Sequence, residues 1–304
     1  MPKVIITGGT GLIGTKLTSL FEQSGYEVFI LSSRKKTDKK NIIYWDYATK
    51  DAETNFLKNT DCIIHLAGEN IGKKRWTKKQ KEKIITSRVN SLMFLKELFK
   101  TTGEFPKVLI SASATGYYDS KPSSHVFTED DPPGKDFLSN VCIKWEQAAD
   151  SFLELGARVV KFRIGVVLTD KGGMLPQLVS LTRLMIGSVA GSGRQIVPWI
   201  HIGDLISLMF AAVSGNKFNG VYNAVAPQQV TNKVFMNTLA SVLNKRIWLP
   251  PVPSWVIKLL FGEMSVIVLK GNRISSKKII NSGYKFQYSV LQHALEELLK
   301  NRKK

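Results

Sequence analysis

Three glycines spaced three residues apart, Gly8, Gly11 and Gly14, lie between the apolar run Val4-Ile5-Ile6-Thr7 and a helical pattern opening at Leu12 and Ile13. Glycines in such a loop serve a tight turn, close approach of the backbone to a diphosphate, and close packing of helix on strand. Amides left open at the helix start can hold phosphate oxygens. Thr7 either fixes the loop or caps it locally. The next apolar run, 27–32, leads into Ser33 and Arg34. A carboxylate there would take the ribose hydroxyls of NAD, whereas an arginine suits a 2′-phosphate. The expected cofactor is therefore NADP, as NADPH or NADP+.

Further polar groups fall at strand ends. Asp46 follows a third apolar run and either contacts adenine or shapes a surface turn. Leu66, Ala67 and Gly68 close a fourth run at the edge the cofactor should cross, with Glu69 beside them. In the loop that follows, Asn70, Arg75 and Trp76 can supply polar and stacking contacts to a substrate, and Arg88 and Asn90 either support that loop or pair elsewhere on their helix. Arg163 ends a later strand at a cofactor-facing turn. Arg194, within Gly191-Ser192-Gly193-Arg194-Gln195, binds a phosphate or carboxylate or else lies on the surface. His65, inside an apolar strand, reads as structural. Four widely separated histidines give no metal-ligand spacing.

The elements that must position these groups alternate between apolar strand-like runs and longer helical patterns from Val4 to Ser111, the signature of βαβ units and a parallel sheet. Strands are expected over 3–7, 27–32, 42–45, 61–67, 107–111 and 158–163, and helices over 12–24, 77–100 and 138–155. The fold class is α/β, a doubly wound Rossmann-like parallel sheet with a smaller C-terminal substrate-side domain. Residues 1–225 form the NADP-binding domain, with part of 165–225 contributing to the substrate side, and 226–304 a small, mostly helical region. Thr231 is placed to cap a helix, and Ser289 begins a capping-box spacing before the last one.

The chain of 304 residues carries 43 basic and 24 acidic residues, a formal charge of +19. Its lysines are scattered over loops and helix faces without an aromatic platform or recognition-helix pattern, so nucleic acid is disfavoured as a partner and a small-molecule substrate expected. Two cysteines in apolar settings argue against a disulfide framework. The start runs directly into a strand without a secretory pattern, and the apolar stretch 252–269 carries Lys258 and Glu263; a cytoplasmic protein with no membrane span, monomeric or homodimeric, is expected.

Thr7-Gly8-Gly9-Thr10-Gly11-Leu12-Ile13-Gly14 resembles the signature of short-chain dehydrogenases/reductases. With the stretches 65–71, 111–118, 141–146, 163–168 and 199–205, the chain is similar to the extended members, the NAD(P)-dependent epimerase/dehydratase family. Within them it looks closest to an atypical subfamily described as sugar nucleotide epimerase-like and cell-division-inhibitor-related, whose small C-terminal module corresponds to 249–298. Such relatives place a serine after the fifth strand and a Tyr-x-x-x-Lys pair on the next helix. By that likeness Ser113 orients a carbonyl or alcohol. The pair is replaced by Leu138 and Cys142, which cannot exchange the proton or clamp a ribose as a cation. Tyr117 and Tyr118 are the candidate replacement acids, with a structural aromatic role as the alternative. The resemblance implies an NADP(H)-binding epimerase or oxidoreductase moving a hydride to or from a small polar or nucleotide-linked substrate; the alternative is a weakly catalytic NADP(H)-binding scaffold or redox sensor.

Overall fold

The computed structural model describes residues 1–33, 41–119 and 124–300. The chain begins with β1 (Lys3–Thr7), α1 (Leu12–Gln23), β2 (Glu27–Ser32), β3 (Ile42–Asp46), β4 (Asp51–Ala52) and β5 (Cys62–His65). It continues through α2 (Lys78–Thr102), β6 (Val108–Ala114), β7 (Val126–Phe127), α3 (Phe137–Asp150), β8 (Arg158–Ile164) and β9 (Val166–Leu168). The second half holds α4 (Leu175–Arg183), β10 (Ile196–Val197), β11 (Trp199–His201), α5 (Ile202–Ser214), β12 (Gly220–Ala224), β13 (Val230–Thr231) and α6 (Asn232–Val242). Last come α7 (Ser254–Phe261), α8 (Val266–Leu269), β14 (Arg273–Ile274), α9 (Lys277–Asn281) and α10 (Leu291–Lys300).

Among the described residues the main sheet runs β12-β8-β6-β5-β1-β2-β3-β4, parallel throughout except for β4, which pairs antiparallel with β3 at one edge. All four residues of β5 are buried, the mark of a strand covered on both faces. Strand order reverses at β1, between β2 and β5, and this switch point opens the crevice in which doubly wound sheets bind ligands. The Rossmann-like fold is that expected from the alternating pattern.

Two strand ends differ from the periodicity by more than one residue, each for a local reason. The fourth strand stops at His65, because the amides of Leu66 and Ala67 both turn to the Thr7 hydroxyl at 3.2 Å. The fifth extends to Ala114, because β8 continues beside it as far as the Ala114–Ile164 pair. Thr231 caps α6 by accepting from the amide of Val234.

The C-terminal region closes back on the sheet. Leu291, Ala294, Leu295, Leu298 and Leu299 of α10 join the same hydrophobic core as β1 and β5. Asp204, at the start of α5, accepts from the amides of Gln287 at 2.7 Å and Tyr288 at 2.9 Å, and His201 meets Glu297 at 3.0 Å. β14 pairs in parallel with β7, which carries the segment after α8 to the connection between β6 and α3. Residues 252–269 form two short helices joined by a 3-10 turn, and among the described residues no helix is long and apolar enough to cross a membrane.

Candidate active site

The glycine loop lies at the switch point. Gly8 has a φ of +69°, a left-handed conformation that glycine adopts without strain, and its Cα faces the Leu66–Ala67 peptide. A Cβ on Gly14 would run into the backbone of Gly8 and Gly9, so glycine there lets α1 start against the loop. Gly11 occupies the N-cap with no side-chain hydrogen bond, and no acidic residue sits in the first turn. The helix start, at Leu12 and Ile13, therefore presents amides and positive dipole to an incoming anion. Thr7 is fully buried and holds the β5 end through its hydroxyl. Asp46 closes a turn by accepting from the amide of Ala48 at 2.9 Å. Arg34 lies outside the described residues.

The loop after β5 is built on α2. The amide of Glu69 donates to Ser87 Oγ at 2.9 Å. Burial opposes ionisation of the Glu69 carboxyl, but hydrogen bonds from Lys83 and Gln80 outweigh it and hold the group below its ordinary value. Asn70 caps a turn through the amide of Gly72, and Arg75 donates to the carbonyls of Leu259 and Leu260 on α7. Trp76 donates to the carbonyl of Ile71 and packs edge-on against Phe137, 5.0 Å between ring centres. These contacts tie the loop to the C-terminal segment, and within 69–76 it is Ile71 that lines the nearby cavity.

Beyond the β6 and β8 ends lies a dense polar network. Ser113 donates to Glu146 Oε1 at 2.7 Å, and Glu146 takes a two-pronged ion pair from Arg163 at 2.9 and 3.0 Å. Arg163 also donates to the Tyr118 hydroxyl at 3.0 Å, which donates to Asn223 Oδ1 at 2.7 Å. Tyr117 lays its ring on the Arg163 guanidinium, 3.3 Å from Cζ to the ring centre. Its hydroxyl makes no hydrogen bond to the described residues. Desolvation opposes the charge on Arg163, but the Glu146 contacts dominate and raise its pKa. Burial pushes the Tyr118 phenol up to about 12 despite the neighbouring guanidinium. Ser113, Tyr118 and Arg163 are thus brought together, with their hydrogen-bonding groups engaged by one another and by Glu146, which no motif in the sequence singles out.

A cavity of about 300 Å³ opens beside this network, between the ends of β6 and β8, α3, and the segment 266–274. Its α3 wall is Leu138, Val141, Cys142 and Trp145, one helical face at spacings of three and four. That stripe was readable as a helix face; its exposure to a cavity was not. Cys142 is buried, and desolvation followed by the Glu146 charge raises its thiol pKa to about 12, so the protonated thiol prevails at neutral pH. Asp136 caps α3 through Oδ1, which accepts from the amide of Ser139 at 3.0 Å, while Oδ2 is buried without a partner among the described residues. Arg88 also reaches the wall. Ser113, Tyr117, Asn70, Arg75, Trp76 and Arg194 do not line the cavity, and Arg194 is exposed in its loop.

Behind the wall a directional chain joins three elements. The Trp145 indole can only donate, so His65 Nδ1 accepts it at 3.4 Å and Nε2 carries the proton given to Ser91 Oγ at 2.8 Å. Ser91 in turn donates to the carbonyl of Arg88 at 2.9 Å. Burial, assisted by the Arg88 charge, pushes the His65 pKa down to about 3.

A parallel sheet carrying a glycine loop and an uncapped helix start at its switch point defines a dinucleotide-binding α/β protein. Residues 4–140 match the NAD dependent epimerase/dehydratase family, and 252–298 match a domain of unknown function, DUF1731. The epimerase family protein YfhF of Bacillus subtilis (strain 168) is 37% identical over 303 residues, 99% of each chain. The epimerase family protein SAR0825 of Staphylococcus aureus (strain MRSA252) is 36% identical, covering 98% of this chain and 99% of its own. The crystal structure of human epimerase family protein SDR39U1 (isoform 2) with NADPH is similar at a TM-score of 0.87 and 34% identity, over 98% of this chain and 99% of that one. A nucleoside-diphosphate sugar epimerase from Corynebacterium glutamicum follows at 0.80 and 31%, over 98% of this chain and 58% of that one. The chain belongs to the NAD-dependent epimerase/dehydratase family of extended short-chain dehydrogenases/reductases. Its function is accordingly NAD(P)-binding and epimerase- or oxidoreductase-like.

Proposed function

We propose that the protein is an NADP(H)-dependent oxidoreductase or epimerase that moves a hydride between the nicotinamide and a carbon of a small carbonyl or alcohol. The observation that carries this reading is the adjacency of two sites: an uncapped α1 start at the switch point, and a cavity at the ends of the neighbouring strands β6 and β8. The α1 amides would hold the diphosphate, with Gly11 at the helix start leaving room for its close approach and Ala67 at the β5 end beside it. When bound, the nicotinamide supplies the hydride. NADP is favoured over NAD by Arg34 after β2, and the human relative with NADPH supports the same choice.

On the substrate side Ser113 is read as orienting the network that faces the reacting oxygen. Tyr117 is read as the proton carrier from beside the cavity wall, since its hydroxyl makes no hydrogen bond to the described residues where that of Tyr118, which lines the wall, is engaged. A small polar or nucleotide-linked substrate remains the reading suggested by the family. The stripe of Leu138, Val141, Cys142 and Trp145 favours an apolar body next to the reacting carbon.

The scaffold or redox-sensor reading rests on one observation: Leu138 and Cys142 stand on the cavity wall where proton exchange and ribose clamping would be performed. Calorimetric titration with NADPH and NADH is expected to show tighter NADPH binding, and Arg34→Ala to weaken NADPH more than NADH. Equal losses in the two titrations would sink the NADP assignment. NADPH oxidation over many turnovers with a panel of carbonyl compounds supports the enzyme; tight binding without turnover supports the sensor.

A further inference from the structure

Arg88 is a half-buried cation without a carboxylate partner among the described residues. Its Nη1 donates to the carbonyls of Glu69 at 3.1 Å and Ile84 at 2.9 Å, and Nε and Nη2 make no hydrogen bond to the described residues. Glu69 and Glu146, on the elements around it, are committed elsewhere. Glu69 faces Lys83 at 3.1 Å and Gln80 at 3.4 Å, and Glu146 is paired with Arg163. The guanidinium stacks on Trp145, 4.8 Å from Cζ to the ring, and lies so close to Gly68 that a Cβ there would come within 2.9 Å of Cζ. It is therefore pinned between the β5 end, where a dinucleotide crosses the sheet, and the α3 wall of the cavity. Burial lowers its pKa, and the neighbouring Cys142, Glu69 and Tyr47, which act the other way, do not make good the lost hydration.

A half-buried guanidinium that leaves donors on a cavity wall is offset best by a counter-charge arriving from outside the chain. The Trp145–His65–Ser91 relay, which ends on the Arg88 carbonyl, fixes the backbone that carries it. We propose that Arg88 is the anion-binding group of the cavity, donating through Nε and Nη2 to a negatively charged oxygen of a bound ligand. Two sources carry that chemistry: the nicotinamide-side phosphate of the dinucleotide, and a carboxylate on the substrate. The inference rests on the cavity being the dinucleotide and substrate site, and it adds a recognition group that neither the glycine loop nor the Ser113 network provides.

The test compares wild type with Arg88→Gln and Arg88→Lys by calorimetry and tryptophan fluorescence, with thermal melts to confirm folding. NADPH is titrated in parallel with 2′,5′-ADP, which keeps the adenosine half and lacks the nicotinamide-side phosphate. If the cofactor is the source, Arg88→Gln weakens NADPH by about tenfold or more, as loss of a charge-assisted contact requires, and leaves 2′,5′-ADP unchanged. If the substrate is the source, NADPH affinity holds. The NADPH complex then prefers 4-carboxybenzaldehyde to its methyl ester by about tenfold, a preference that Arg88→Gln removes and Arg88→Lys partly keeps. Unchanged NADPH affinity together with no carboxylate preference overturns the proposal, as do equal losses for NADPH and 2′,5′-ADP. Should wild type bind neither nucleotide, the dinucleotide reading fails separately, and the carboxylate pair, titrated directly against the protein, decides the role of Arg88.

Discussion

The two halves of the crevice solve opposite problems. On the β1–α1 side the working groups are backbone amides, left open because Gly11 caps nothing and no first-turn acid competes for the helix start. On the β6–β8 side they are side chains, and nearly all are consumed: Ser113 by Glu146, Glu146 by Arg163, and Tyr118 by both Arg163 and Asn223. An open backbone site waits for an anion from outside, whereas a saturated network supplies its own counter-charges and holds the strand ends in place. Beside the network, Tyr117, Asp136 and Arg88 keep polar atoms without a hydrogen-bond partner among the described residues.

Breaking the saturated half should have the largest effect. Glu146→Ala leaves Arg163 buried and uncompensated, and urea denaturation is expected to show a loss of about 3–5 kcal/mol. Striking the open half should cost binding more than folding. Gly14→Ala crowds the backbone of Gly8 and Gly9, and NADPH affinity measured by calorimetry should fall about 100-fold, or about 2.7 kcal/mol. A fall in stability without one in affinity would contradict that division.

The relay that joins the halves should appear as a pH effect. An unfolded chain protonates His65 near its ordinary value of 6.5, whereas the folded chain resists down to about 3. Between those values the unfolded state binds more protons, so stability declines as pH falls through the window, by up to about 1.4 kcal/mol per pH unit, and is flat above it. Chemical denaturation at a series of pH values measures the slope, which His65→Asn should reduce. The smallest contrast separates two adjacent tyrosines. Tyr118→Phe removes two buried hydrogen bonds and should cost about 1–3 kcal/mol, while Tyr117→Phe should stay within about 0.5 kcal/mol and act on turnover instead.

How much of this was legible in the sequence follows from the same contrast. The glycine loop, Thr7 and the strand–helix–strand order could be read because their parts are contiguous and their periods differ. The network could not. Ser113 and Glu146 stand 33 residues apart, and Tyr118 and Asn223 105 apart, so nothing local in either segment announces its partner. Asn70, Arg75 and Trp76 are expected from the sequence to meet a substrate, but the partners the structure gives them include Leu259 and Phe137, and no periodicity states that α7 and α3 pack there. The cavity face of α3 looked like any buried helix stripe, since Leu138, Val141, Cys142 and Trp145 are apolar whether they meet a neighbour or a ligand.

The hold of Asp204 on the amides of Gln287 and Tyr288, with α10 in the common core, sets a condition on biosynthesis. On the ribosome, the strands of the sheet emerge long before the helix that covers part of their core. A nascent chain must carry that apolar surface uncovered until α10 has emerged, the situation in which parallel sheets aggregate or recruit chaperones. Ending the chain early, before α10, would make the temporary exposure permanent.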